Sequence, residues 1–285
     1  MIPSRFLNLF SRPWAIDPGY IRGIETFLPG IISAIKSRTM LDVGEERVAR
    51  EPRPVVAVGG LEAKTKTKVG VMKISGPIVK GISDAECEWY GLCNIDSVHA
   101  AADVVHKEGI GHLVIHFNTP GGMVCGITEA ADRLASLRED GVTLTAFSDT
   151  MCCSAGYWLA AACNETIGSP SSIWGSIGCI CLCLDNSGLY EKLGLKTEYF
   201  VSKGSEAKLY GRPGQPWADE ARASFQESVD EVGKEFKAFV KANRPGLSMA
   251  DMNGDAWDAS TAPKGYVDVV NRSISNLPDL LSMLT

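Results

Sequence analysis

The sequence predicts an α/β fold built on a mostly parallel sheet. Three observations carry that expectation. From Val69 onward, strand-like apolar runs alternate with helical stretches, the pattern of successive βαβ units. The run "HLVIHFN" is almost continuously apolar, as strands of a parallel sheet covered on both faces are. With 285 residues and 45% hydrophobic side chains, the chain can bury a sizeable core.

Taken in order, residues 1–66 read as an irregular N-terminal region with one or two short helices, ending in the polar "LEAKTKTK". "VGVMKISG" follows as a strand closed by Gly76-Pro77. "DSVHAAADVVHKEG" has helical period, "HLVIHFN" is a strand, "CGITEAADRLASLRE" is again helical and "VTLTAFS" is a strand. The stretch "DTMCCSAGYWLAAACN" is small and apolar, with one hydroxyl, Ser154, where its helix begins. "SIGCICLCLD" and "TEYFVS" are expected to be two more strands. A long helix runs from Trp217 to about Asn243, with Ala221, Phe225, Val229, Val232, Phe236 and Phe239 forming one packed face. No internal repeat is visible. A domain spanning 67–272 is therefore expected, preceded by the region 1–66 and followed by a short tail, 273–285.

Composition excludes several function classes. The net charge is -6 and no basic stripe is present, so nucleic acid is not an expected partner. The nine cysteines are an odd number in a chain that is not short, which argues against a secreted disulfide framework. "GCICLC" lacks a nearby histidine or a second cysteine pair with finger-like spacing, so its cysteines read as small, buried side chains in a reducing compartment, and no metal or other cofactor is expected. The N-terminus, broken by Arg5, Arg12 and Asp17, does not read as a signal peptide. The longest uncharged run, Thr166 to Leu184, contains Gly168, Pro170, Gly175 and Gly178, so no membrane insertion is expected and the protein reads as soluble.

Two segments carry chemistry. "FNTPGGMVCG" follows a strand and precedes a helix, and adjacent glycines there leave backbone N–H groups unobstructed in a cleft at the end of a parallel strand. Ser154 begins a helix, where its own N–H and that of Ala155 lie among donors without intrahelical partners. It reads either as a helix cap or as a nucleophile with an oxyanion site beside it. The four histidines, His99, His106, His112 and His116, all precede the glycine turn, so no histidine lies downstream of Ser154 to act as its base. A lysine made neutral by burial serves instead in some enzymes. In "VSKGSEAKLYGRP" the candidates are Lys203 and Lys208.

These segments resemble the Ser-Lys signal peptide peptidases, and more closely their phage branch, which includes the capsid-assembly proteases of lambda-like phages. "NTPGGMVCG" is similar to the family's oxyanion turn, "SDTMCCSAGYWLAAA" to its nucleophile segment, "WGSIGCI" to the following glycine-serine strand, and "LYEKLGLKTEYFVSKGSEAKLYGRP" to the segment bearing the base. "RPWAIDPGYIRGI" gives a weaker echo near the start. The resemblance implies a crotonase/Clp-protease-like βαβ superhelix, with Ser154 as nucleophile, Lys208 as general base and Ser176 orienting it. It implies oxyanion N–H groups from Gly122 and Ala155, and contacts to the substrate by Gly121 and Met123. "SKGSEAK" holds two residues more than the usual stretch before the lysine, which leaves Lys203 as an alternative base, and "DAWDASTAPKGYVDVV" matches the family's closing segment only loosely.

The function implied is endopeptidase cleavage of capsid, portal or scaffold proteins during phage head assembly, by a homo-oligomer in the host cytoplasm or the assembling procapsid. The competing readings are a host cytosolic peptidase of the same family, a catalytically silent scaffold component, and a crotonase-type enzyme acting on acyl-CoA.

Overall fold

A computed structural model describes residues 14–16, 56–62 and 68–284, with side chains from residue 68 onward. Two strands come first, β1 (Trp14–Ile16) and β2 (Val56–Glu62). From there the repeating element is a long strand, a tight turn, a short second strand and a helix. Strand β3 (Lys68–Ser75) turns into β4 (Ile78–Val79), followed by α1 (Asp84–Tyr90), β5 (Cys93–Asn94) and α2 (Asp96–Glu108). The unit repeats as β6 (His112–Asn118), β7 (Gly121–Met123) and α3 (Ile127–Glu139), and again as β8 (Thr143–Ser148), β9 (Met151–Cys153) and α4 (Ala155–Ala161). A fourth pair, β10 (Glu165–Gly168) and β11 (Ile173–Gly175), completes the series. The repetition lies in backbone geometry, with no shared side-chain pattern for a sequence reading to detect. Two short strands close the chain's β structure, β12 (Ala256–Asp258) and β13 (Val269–Val270).

The long strands form one six-stranded sheet, ordered β13-β10-β8-β6-β3-β2. All its pairings are parallel except that of β2 with β3. The expected α/β class with a mostly parallel sheet is what the chain forms. Side chains alternate across it, as strand geometry requires. Leu113, Ile115 and Phe117 face the main core with the helices, while Val114 faces the other side. That second side is covered by Ile274 and by Leu280 of the helix Leu277–Leu284. The segment after residue 272, expected to be a tail, packs on the sheet through these residues, and β2 extends the sheet upstream of residue 67.

The short strands form a second layer of two small sheets, one ordered β1-β7-β4-β5 and the other β12-β11-β9. The long helix forms as expected, here α6 (Asp219–Asn243), after a short helix α5 (Ser187–Lys192). Its C-terminal half carries the packing: Phe236 and Val240 are buried, and the Phe236 ring stacks on Trp158 at 4.4 Å with planes 4° apart.

Two expected strands do not form. "SIGCICLCLD" contributes an isolated bridge residue at most, and "TEYFVS" is irregular. Between β11 and α6 the chain is instead an arm with a single 3₁₀ turn, Glu206–Leu209, and short α5. The sequence alternates as a strand would, but among the described residues no strand pairs with it. Its apolar residues therefore face outward: Leu184 is 76% exposed and Phe200 92%.

Candidate active site

The ends of β6, β8 and β10 bring the chemistry-bearing turns together in the second layer. Thr119, just past β6, bridges to Cys152 of β9. Its N–H donates to the Met151 carbonyl at 3.0 Å, and the Cys153 N–H donates to the Thr119 carbonyl at 3.1 Å. In turn β9 pairs with β11 in parallel, Cys153 opposite Gly175. Ser154 and Ser176 are each the next residue, so the two serines emerge side by side from adjacent strand ends.

The glycine turn is held by Thr119, which is fully buried. Its Oγ1 donates to the Gly76 carbonyl at 2.7 Å and accepts from the Gly121 N–H at 3.1 Å. Gly121 has φ of +104°, a conformation that favours glycine. Gly122 is glycine for a different reason: a Cβ there would lie 2.0 Å from the Ile78 carbonyl oxygen. Gly156 lets the start of α4 reach this turn, since a Cβ on it would meet Thr119 Cγ2 at 2.4 Å. Thr119 and Gly156 belong to the site's framework, and their only sequence signal was their place inside "NTPGG" and "SAG".

Ser154 stands at the cap position of α4, yet its side chain makes no capping hydrogen bond. The cap reading therefore fails. Its backbone lies at φ 53°, ψ -118°, and among the described residues the one other non-glycine residue with positive φ is Ser176, at 55°. Such conformations cost about 1–3 kcal/mol each and persist where surrounding structure imposes them, frequently at functional sites. Ser154 is fully buried and its Oγ has no hydrogen-bond partner. Leaving a buried hydroxyl unbonded costs a further ~1–3 kcal/mol. Strain, burial and an unbonded Oγ together make Ser154 the candidate reactive hydroxyl of this site.

The backbone donors divide. The Ser154 N–H is already spent on the Gly175 carbonyl at 2.8 Å, so the expectation that it helps hold an oxyanion is corrected. Ala155 opens the helix, where its N–H has no intrahelical acceptor. The Ser176 N–H donates to the Asp255 carbonyl at 2.6 Å, fixing the second serine against the loop before β12. A groove of about 620 Å³ opens on Ser176 between this loop and α6.

No histidine serves Ser154. His116 Nε2 pairs with Asp149 at 2.9 Å, and His112 Nε2 with Thr145 Oγ1 at 2.9 Å; burial lowers the pKa of His112. Burial raises the Cys152 pKa well above its ordinary value, which disfavours its thiolate. Lys203 and Lys208 both sit exposed on the arm, Lys208 in its 3₁₀ turn, and neither amine bonds Ser154 Oγ in the single chain. Between Cys181 and Trp217 no residue of the arm is fully buried, so no packing draws the lysine segment onto the serine. Cys179 and Cys181 are half-buried and Cys183 is exposed, with the Cys181 and Cys183 sulfurs 3.7 Å apart, so these thiols are less buried than expected. No cluster of three or more metal-ligating side chains occurs among the described residues.

Comparison with known proteins bears on this geometry. The model of peptidase family S49 matches residues 136–274, the segment that carries Ser154, Ser176 and both lysines. That match covers just under half of the chain. Capsid assembly protease C of Escherichia phage lambda is 26% identical over 242 residues, covering 82% of this chain and 54% of that protein. The probable protease SohB of Haemophilus influenzae is 26% identical over 163 residues, covering 57% of this chain and 45% of that one. The chain thus spans about half the length of these curated relatives. Among solved structures, a point mutant of ClpP1 from Listeria monocytogenes aligns over 72% of this chain and 94% of its own, with 12% identity and a TM-score of 0.38. Among the described residues, no helix is long and apolar enough to cross a membrane.

Proposed function

We propose that this chain is a serine endopeptidase that cleaves capsid, portal or scaffold proteins during phage head assembly. One observation carries the reading: Ser154 is strained, buried and unbonded at a helix start beside a glycine strand. The phage relative supports the phage setting over the host one, since its similarity extends over 82% of this chain against 57% for SohB.

In this reading neutral Lys208 takes the proton of Ser154 Oγ as the oxygen attacks a peptide carbonyl. The oxyanion that forms is held by the N–H groups of Gly122 and Ala155. The protonated amine then gives its proton to the leaving nitrogen, the C–N bond breaks and an ester to Ser154 remains. Water, deprotonated by the same amine, hydrolyses that ester. Ser176, adjacent to Ser154 at the neighbouring strand end, orients the amine, and Gly121 and Met123 line the substrate. The exposed arm has to close over Ser154 for this to occur. Its outward-facing leucines and Phe200 supply the apolar surface for packing against a second copy, and burial there desolvates the amine as a lysine base requires.

The test is hydrolysis of purified capsid, portal and scaffold proteins by the full chain. Ser154→Ala and Lys208→Ala are each expected to remove the defined fragments, Lys203→Ala to leave them, and the rate to rise toward alkaline pH as the base becomes neutral. Cleavage that survives Ser154→Ala overturns the assignment; loss with Lys203→Ala but not Lys208→Ala moves the base.

A further inference from the structure

The glycine strand is already occupied. In the small sheet β1-β7-β4-β5, one edge of β7 is covered by β4, with Ile78 opposite Gly122. The other edge, which would otherwise be open, carries β1. The pairing is antiparallel: Trp14 stands opposite Met123, Ala15 opposite Gly122 and Ile16 opposite Gly121. Three residues of the chain's own N-terminal region therefore lie one strand spacing, ~4.8 Å, from the backbone of the proposed oxyanion glycine.

An extended peptide binds an exposed sheet edge by adding a strand, its main chain supplying affinity and its side chains selectivity. The edge of β7 is such a template, flanked by the turn that Thr119 locks and by the start of α4. A protein substrate and β1 cannot both pair with it. The segment is also suited to stop there. Pro13 and Pro18 flank it in the sequence, neither offers a backbone N–H to a ladder, and the described pairing spans three residues. Because it belongs to the same chain, it competes at the effective concentration of a tethered ligand rather than at its bulk concentration.

We infer that Trp14–Ile16 is an inhibitory strand that holds the substrate slot on Gly121–Met123 until a protein substrate displaces it. This rests on reading β7 as the strand that receives substrate. The occupied fraction sets the effect: a slot free in one molecule in ten, as an order-of-magnitude illustration, weakens apparent binding about tenfold.

The experiment separates this from the catalytic assignment by measuring binding without turnover. In full-length Ser154→Ala protein, a fluorophore-labelled peptide of residues 11–19, SRPWAIDPG, is titrated by anisotropy. Ala15→Pro in the same background removes the N–H opposite Gly122 and is expected to lower the peptide's Kd about tenfold or more. Equal Kd values overturn the inference. Independently of how that variant folds, Trp14→Cys with Met123→Cys is expected to form a disulfide that abolishes peptide binding, restored by reductant. Failure of that pair to link while the native fold is retained, or undiminished binding once linked, also overturns it. If the wild-type chain hydrolyses nothing yet the peptide is excluded and admitted as described, the enzymatic reading fails and the strand assignment stands.

Discussion

A methyl group added at Gly122 would lie 2.0 Å from a backbone oxygen and 2.5 Å from a backbone nitrogen of Ile78, atoms that cannot swing aside. Gly122→Ala is therefore expected to push β7 away from β4 by an ångström or so and carry the proposed oxyanion N–H with it. Misplacement on that scale costs roughly a hundredfold in rate, so peptide hydrolysis should fall by about that factor while far-UV circular dichroism stays close to wild type. Activity within a few-fold of wild type would mean that the glycine strand does not position the reaction. At this scale the sequence was informative. Ser154 and the glycine pair could be singled out because each lies in a contiguous stretch that reads as a turn into a helix, whereas Ser176 came from the family resemblance alone. What it hid were contacts between distant segments: the Ser154 N–H donating to Gly175, and Gly156 set against Thr119. Neither leaves a local pattern.

Among the elements, those long enough to bury a periodic apolar face were legible, and the short strands and the exposed arm were not. The strands β3, β6 and β8 and the helices α2 and α3 lie close to where the apolar periodicity puts them, because each buries the face that its pattern describes, whereas α1 and the short strands β4, β5 and β7 leave no such pattern. The arm shows the converse. Strand-like alternation in "SIGCICLCLD" and "TEYFVS" produces no strand there, and among the described residues no strand pairs with these segments. The long helix lies between these cases. Toward its C-terminus Phe236 stacks on Trp158, whose Nε1 is buried without a hydrogen-bond partner, so the indole is held by packing alone. Phe236→Ala is expected to destabilise the fold by about 3–5 kcal/mol, read as a lowered denaturant midpoint at unchanged m-value. Phe225, nearer the N-terminus, is half-buried against Trp217 and the arm. Phe225→Ala should cost much less by the same measurement, and equal losses would show that the whole helix is one packed unit.

For the molecule as a whole, the surface is what the core does not explain. Leu182, Leu184, Leu189, Leu193, Leu195, Tyr199 and Phe200 are all exposed, and they are concentrated on the arm that also bears both candidate lysines. Scattered exposed leucines need no explanation, but a concentration on one segment marks an interaction surface. A second copy is the occupant consistent with the proposed chemistry, because one event would then cover the apolar arm and desolvate the amine. The expected outcome is self-association in sedimentation velocity at micromolar concentration, with hydrolysis per chain falling as the assembly is diluted apart. Phe200→Ser should shift the protein toward the 30.6 kDa single chain and lower hydrolysis in step. Its thermal midpoint should change by little more than a degree or two as a single chain, since a side chain 92% exposed adds almost nothing to that chain's core. A protein that sediments as a single chain at every concentration and hydrolyses at full rate would show that Lys208 meets Ser154 without a neighbour, and that the arm closes within one chain.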